Sequence, residues 1–168
     1  MNLQTEFRNA MAQLGSAVSV IATDGPAGKF GFTASAVCSV TDTPPTLLVC
    51  MNRNSYAHSH FCDNGVLCVN VLSGDHQQLS GIFADARLRS QERFSHDSWQ
   101  VMASGAPALV SAAANFDCRI ADCHEVGSHS VFYCQVQAIR ISEHPRGLVW
   151  FNRRYHALGD DPHQPACP

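Results

Sequence analysis

A run of small and hydroxylated residues between positions 31 and 45 is the part of the sequence that best fits a ligand site. Thr33, Ser35 and Ser39 offer hydroxyl groups, and the small residues among them let a flat molecule approach the backbone. The run ends in two prolines, so nearby backbone N–H groups fall outside a regular ladder. Such groups beside hydroxyls suit an anion or the polar edge of a ring. The alternative is a Ser- and Thr-rich strand that faces solvent.

A second polar group follows an apolar strand. Arg53 presents a planar fork of donors, and Ser55 lies where a helix begins, so the segment from Asn52 to Ser55 favours a phosphate. Arg87 and Arg89 lie in a long predicted loop and can close over a phosphate. The alternative is an ordinary helix cap with solvated arginines.

Two further groups could bind a ligand. His129, at a predicted hairpin tip, can hydrogen-bond a carbonyl or amide. Aromatic and cationic residues are mixed from Phe151 to His156, which suits stacking and polar capture of a dinucleotide. A plain turn residue and a polar strand edge are the respective alternatives. The sequence has no Gly-x-Ser-x-Gly elbow, phosphate loop or paired carboxylates, which disfavours hydrolysis.

The chain has eight cysteines but no Cys-x-x-Cys pair, so the usual zinc spacing is missing. Most lie in apolar, strand-like runs, where a free cysteine behaves as a small hydrophobe. We therefore expect buried thiols rather than disulfides or a metal site, although Cys123 and His124 are adjacent.

Composition is that of one globular domain: 168 residues, 45% hydrophobic, 15% charged and a net charge of -3. Without a basic run, the chain is a poor binder of nucleic acid or anionic membranes. The N-terminus lacks the pattern of a signal peptide, and no apolar stretch approaches the roughly 20 residues of a membrane span. We expect a cytoplasmic protein.

Short strands must position most of these residues. The spacing of Phe7, Ala10, Met11 and Leu14 predicts a helix that Thr5 caps and Gly15 ends. Strands are predicted at 17–23, 30–40, 47–51, 66–72, 113–125, 129–142 and 148–151, and short helices at 54–61 and 74–83. We expect 47–51 to be buried on both faces and 84–106 to be irregular.

Many short strands joined by hairpins predict a mainly β fold, a closed antiparallel barrel with a few small helices. No Gly-x-Gly-x-x-Gly follows a strand, so a Rossmann-type site is not expected. The domain is expected to span residues 1–158, followed by a flexible tail at 159–168.

Several ordered motifs across residues 6 to 158 resemble the short-chain flavin reductase family, whose fold is the FMN-binding split barrel. The resemblance lies in the turn at 24–28, the run at 31–45 and three further motifs: Leu67-Cys68-Val69-Asn70-Val71-Leu72, Glu92-Arg93-Phe94 and Trp150-Phe151-Asn152-Arg153-Arg154-Tyr155-His156. The run at 31–45 is most similar to that of members serving pyrimidine utilisation, and similar to that of members supplying 4-hydroxyphenylacetate 3-monooxygenase.

The resemblance implies a Greek-key barrel and a homodimer with two flavin sites near the subunit interface. It implies that NADH or NADPH reduces FMN, which leaves for a separate monooxygenase. Carried onto this chain, it assigns the flavin to Thr33, Ala34, Ser35, Ser39 and Val40. It assigns the ribityl chain and phosphate to Asn52, Arg53 and Ser55, with Arg87 as a further candidate.

His129 takes the place of the histidine in the family's Gly-Asp-His motif, near the nicotinamide, with Ser128 in place of the Asp. Arg154, Tyr155 and His156 are weaker candidates for the second cofactor. Since the cofactors carry the chemistry of hydride transfer, no acid–base pair need be visible. A flavin-binding or electron-transfer protein without nicotinamide turnover, and a metal protein, are the alternatives.

Overall fold

The computed structural model describes residues 2–144 and 146–159, so most of the predicted tail lies outside the described residues. All strand pairs in the described part of the chain are antiparallel, which confirms the predicted mainly β class. The described residues form twelve strands: β1 Ser16–Ala17, β2 Ser19–Thr23, β3 Phe30–Ala34, β4 Val37–Asp42, β5 Pro45–Asn52, β6 Val66–Val71, β7 Trp99–Val101, β8 Pro107–Leu109, β9 Ala114–Val126, β10 His129–Ile141, β11 Gly147–Phe151 and β12 Arg154–Leu158. The helices are α1 Leu3–Met11, α2 His58–Asn64, α3 Gln77–Ala84 and α4 Ser90–Phe94, with a 3₁₀ turn at Gly74–His76.

Seven strands form one sheet in the order β3-β2-β6-β9-β10-β5-β4. Its edge strands, β3 and β4, are consecutive in the chain and are joined only by Ser35 and Ala36. The sheet must therefore curl until its edges approach, and the backbone N–H of Cys50 on β5 donates to the Ala36 carbonyl, 3.1 Å away. This is the predicted barrel. We call the link at Ser35 and Ala36 the seam.

Two apolar clusters pack against opposite faces of β2. Ile21 belongs to the cluster inside the sheet, with Val49, Phe61 and Phe132. Val20 belongs to the other cluster, which lies under α3 and β11. All five residues of β2 are consequently buried.

Hairpin turns set the register of the long strands. The β9–β10 hairpin turns through Gly127 and Ser128, with Gly127 at a φ of 55°, as expected for a two-residue turn with glycine in its first position. The β11–β12 hairpin turns through Asn152 and Arg153, both at positive φ, which is the pattern of a type I′ turn.

Several predicted boundaries were wrong. The predicted strand at 30–40 is two strands, because the chain crosses from one sheet edge to the other at the seam. Residues 84–106 are not irregular throughout, since they contain α4 and β7. The sequence analysis missed β12, whose polar residues mask its alternation.

The predicted burial of β5 and the predicted cap of α1 also need correction. In β5, Leu47, Val49 and Met51 are buried but Leu48 and Cys50 are only partly covered, because the outer face of this sheet has no layer above it within the described chain. Helix α1 buries none of its residues, and Asn2 rather than Thr5 caps it by accepting the Thr5 N–H.

Candidate functional site

A large cleft lies at the N-terminal end of β3. Its volume is about 620 Å³, within the range of about 300–1,000 Å³ typical of small-molecule sites. Phe30 and Gly31 form one wall, the loop before α2 forms another, and residues 86–91 and 93 form the third. Three predicted phosphate residues, Ser55, Arg87 and Arg89, line this cleft.

The third wall is held against β3 by Arg93 of α4. Its guanidinium donates to the carbonyls of Gly31 and Asp85, both 2.7 Å away. Gly31 also permits a close approach, because a Cβ there would lie 2.8 Å from the Phe83 ring and 3.1 Å from the Phe94 ring. A glycine at this position therefore lets α4 and its loop pack against the sheet edge.

Three arginines line this cleft, and two of them have carboxylate partners. Arg87 pairs with Asp85 at 2.8 Å, and Arg89 pairs with Glu92 at 3.1 Å. Hydrogen bonds from Arg87 lower the pKa of Asp85 to about 2. Arg87 is 89% exposed, so its guanidinium can reach an anion in the cleft without losing buried contacts. The cleft offers donors suited to a phosphate group.

Aromatic rings form the rim of the same cleft. Tyr56 is 82% exposed, and Phe30 stacks on His60 with ring centroids 3.7 Å apart. Sequence reasoning missed Tyr56, although an aromatic residue directly after a predicted phosphate serine is a recognisable signal for a binding surface.

A second cleft, of about 260 Å³, lies at the other end of β3. Thr33, Ala34 and Ser35 form its floor, and Trp150 and Tyr155 form its wall. The Thr33 hydroxyl donates to the Ser80 carbonyl at 2.6 Å, and the hydroxyls of Ser80 and Tyr155 are 2.8 Å apart. The structure thus brings together three predicted flavin residues and one predicted second-cofactor residue.

A third cleft, of about 550 Å³, continues from the second and shares Ser35 and Trp150 with it. Its other residues come from α1 and the segment after it up to Ser16, from Ala36 at the seam and from the turn after β11, and they include Arg8 and Arg153. The three clefts follow edge strand β3 from Phe30 to the seam. This strand edge leaves room for a flat ligand beside small residues.

The β9–β10 hairpin tip holds a further group. His129 is directly opposite Asn52 in the ladder, and its Nδ1 atom is 2.9 Å from the Ser128 hydroxyl. The Arg53 guanidinium donates to Glu125 at 2.5 Å and to the Gly127 carbonyl at 2.8 Å. Asn52, Arg53 and His129 are therefore neighbours, whereas their assignment to the two cofactors stays a prediction.

Four predicted residues lie apart from these groups. Ser39 lines a groove of about 250 Å³ against β10, and Val40 is exposed beside it on β4. Arg154 and His156 alternate with Tyr155 along β12 and are exposed, so the cleft that Tyr155 lines does not include them. Their assignment to cofactors stays a prediction.

The cysteine prediction was only partly right. Cys68, Cys118 and Cys134 are buried, and burial raises their pKa values. Cys38, Cys62 and Cys123 are exposed, because they lie on an edge strand, an outer helix face and the protruding hairpin. Cys167 lies outside the described residues. Within residues 2–144 and 146–159, no three His, Cys, Asp or Glu side chains converge as metal ligands would.

A serine–histidine–aspartate cluster lies at the opposite end of the long hairpin. His76 is 3.0 Å from the Ser111 hydroxyl and 3.7 Å from Asp97 through the same Nε2 atom. Its Nδ1 atom accepts the Ser73 backbone N–H, so Nε2 carries the proton of the neutral ring. A general base for Ser111 would need the opposite tautomer, so this arrangement is structural.

None of the helices described for residues 2–144 and 146–159 is long and apolar enough to cross a membrane.

Comparisons with known proteins agree with this geometry. Residues 11–159 match the flavin reductase like domain family. The chain is 51% identical to "FMN reductase (NADH) RutF" of Variovorax paradoxus over 160 residues, 95% of this chain and 88% of that protein. It is 49% identical to the Escherichia coli protein of the same name, over 98% of this chain and 97% of that one.

Solved structures give the same result. The chain superposes on a putative flavin reductase from Haemophilus somnus with a TM-score of 0.90 and 47% identity, covering 94% of this chain and 100% of that one. The flavin reductase of styrene monooxygenase from Pseudomonas putida gives a TM-score of 0.81 and 25% identity, over 90% of this chain and 96% of that one. The chain belongs to the flavin reductase like domain family.

Proposed function

We propose that this protein is an NADH-dependent FMN reductase that releases reduced flavin to a separate monooxygenase. The relatives named FMN reductase (NADH) match nearly the whole chain at about half identity. The observation that carries the proposal is the series of clefts along β3, with a cationic cleft at one end of the strand and a floor of small residues at the other.

The residues present fit FMN. The isoalloxazine would lie over Thr33, Ala34 and Ser35, where small side chains leave the strand edge accessible. The phosphate would lie in the large cleft, where Ser55 and Arg87 offer a hydroxyl and an exposed guanidinium. The other predicted flavin residues, Ser39 and Val40, lie beyond the seam on β4.

A bound nicotinamide supplies a hydride, and a bound flavin accepts it, so the chain must stack and orient the two rings. His129 faces Ser128 through Nδ1, so Nε2 is the ring nitrogen left to hydrogen-bond the carboxamide of the nicotinamide. Tyr155 lines the ring cleft and can contact the second cofactor, with Arg154 and His156 as outer candidates.

The partners are also proposals. We propose a homodimer, because apolar side chains remain exposed on β4 and β10, among them Val40, Ile139 and Ile141. The recipient of reduced flavin would be a flavin-dependent monooxygenase, as the name of the Pseudomonas putida relative says for that protein. Pyrimidine breakdown is the pathway that the sequence resemblance favours. The cytoplasm, which supplies NADH, is the proposed location.

The test is steady-state oxidation of NADH and NADPH by purified protein against FMN, FAD and riboflavin. We expect NADH oxidation that saturates with added FMN. A flavin-binding or electron-transfer protein would show no stimulation by added flavin, and that result would refute the proposal. The variant Arg87→Ala should raise the Michaelis constant for FMN but leave that for riboflavin, which lacks the phosphate, unchanged.

A further inference from the structure

The contacts of Arg53 suggest a role different from phosphate binding. Its side chain is directed to the β9–β10 hairpin, where it meets the Glu125 carboxylate and the Gly127 carbonyl. Its backbone N–H donates to the Ser128 carbonyl, 2.9 Å away. One residue thus makes three hydrogen bonds to the four-residue stretch that ends just before His129.

The hairpin tip has little other support in the described chain. Residues 121–129 are all exposed, whereas the next residue, Ser130, is fully buried. Ser130 is anchored to α2 through His58, whose Nε2 atom lies 2.8 Å from the serine hydroxyl. Beyond that anchor, Arg53 and the pairing of His129 with Asn52 connect the turn to the body of the protein.

Arg53 also begins the loop that lines the large cleft. The residues directly after it, from Asn54 to Ala57, form one wall of that cleft. The same short segment therefore contacts the predicted phosphate site on one side and the predicted nicotinamide histidine on the other.

We propose that the Arg53–Glu125 pair is a positioning device that fixes the hairpin tip and thereby orients His129 toward the nicotinamide. This inference rests on the proposed function and adds Glu125, which no comparison assigns. Both side chains are substantially exposed, at 38% and 66%, so the pair contributes little to global stability. The pair instead determines the position of the hairpin tip.

The first test is kinetic. Glu125→Gln should raise the Michaelis constant for NADH about three- to fivefold, the limit expected for an exposed pair, without changing that for FMN. The matched control is Asp75→Asn, which removes the carboxylate of another exposed pair at the far end of the long hairpin and should change neither constant.

The second test needs no turnover. In ligand-free protein, amide hydrogen exchange at residues 126–129 should speed up in Glu125→Gln and stay unchanged in Asp75→Asn. The charge-swapped double variant Arg53→Glu/Glu125→Arg should show amide protection and a Michaelis constant for NADH closer to those of the unaltered protein than either single variant shows.

The outcomes separate this inference from the function. Absence of flavin-stimulated NADH oxidation in the unaltered protein would refute the proposed function. The positioning role would be refuted if the unaltered protein turns over normally while Glu125→Gln changes neither the amide exchange rates at residues 126–129 nor the Michaelis constant for NADH. If Arg53→Ala instead weakens FMN but not riboflavin, and Glu125→Gln is silent, Arg53 is a phosphate ligand and the inference is wrong.

Discussion

At the scale of single residues, His129 is the group whose removal should separate the two cofactors. It lies on an exposed tip, so its loss should not disturb the core. Replacing it by Ala should raise the Michaelis constant for NADH about three- to tenfold, the cost of one hydrogen bond, and leave that for FMN nearly unchanged. Initial-rate kinetics with each substrate varied would measure both constants. An unchanged constant for NADH would remove His129 from the site.

His76 is a second residue with a testable consequence, this time for stability. Burial lowers its pKa below the ordinary 6.5, partly opposed by the charges of Asp97 and Asp75. The unfolded chain therefore binds a proton at a higher pH than the folded one, and folding stability must fall as pH drops below about 6.5.

The variant His76→Gln removes this proton linkage. Between pH 5 and 8, the melting temperature of the unaltered protein should fall more steeply on acidification than that of the variant. Parallel slopes would show that His76 binds its proton equally well in the folded and unfolded protein.

Sequence reasoning worked well for residues whose neighbours follow from strand order. It grouped Thr33, Ala34 and Ser35, and these three residues line one cleft. It could not find the partner of Arg53, because Glu125 lies 72 positions away and meets it only through the register of β5 and β10.

At the scale of elements, Gly31 decides how α4 packs on β3. A methyl group there would contact two aromatic rings at 2.8 and 3.1 Å, and both rings belong to packed clusters. Gly31→Ala should therefore destabilise the protein by about 1–3 kcal/mol, as overpacking does, and weaken FMN binding because α4 lines the cleft.

The matched control is Gly81→Ala in the interior of α3, where a Cβ meets nothing within 4 Å. This change should stabilise the protein by about 0.5–1 kcal/mol, since alanine favours a helix interior. Urea denaturation of both variants checks the pair. Equal effects would mean that the space beneath Gly31 relaxes freely.

Element types were predictable from periodicity, whereas several boundaries were not. The run of small and hydroxylated residues continues from β3 into β4, so nothing local marks the crossing between sheet edges at Ser35 and Ala36. In β12 the chain alternates, but Arg154 and His156 are exposed on one face while Tyr155 alone is partly buried. Tertiary contacts create both features.

At the scale of the whole molecule, exposed apolar residues support the proposed second copy. A groove between β4 and β10, lined in part by Val37, Val136 and Ile139, remains open in the described chain. Its lining continues the cluster inside the sheet, since Leu47 belongs to that cluster and Val37 and Val136 pack against it.

The variant Ile139→Asp places a charge in this groove and should convert a dimer to a monomer. Val101→Asp, at an exposed apolar position on β7, is the control and should leave the assembly unchanged. Sedimentation equilibrium at micromolar concentration measures the mass of each. A monomeric unaltered protein would refute the homodimer proposal outright.

The seam connects the closure of the barrel with the proposed binding of flavin. The residues proposed to lie under the flavin ring end where the two edges of the sheet meet, at Ser35. A molecule bound there lies across the junction of the two sheet edges, so it binds the closed barrel in preference to an opened one. Occupancy then adds to the free energy of closure in proportion to the logarithm of ligand concentration. In a thermal-shift titration, the melting temperature of the protein should therefore rise with the concentration of flavin.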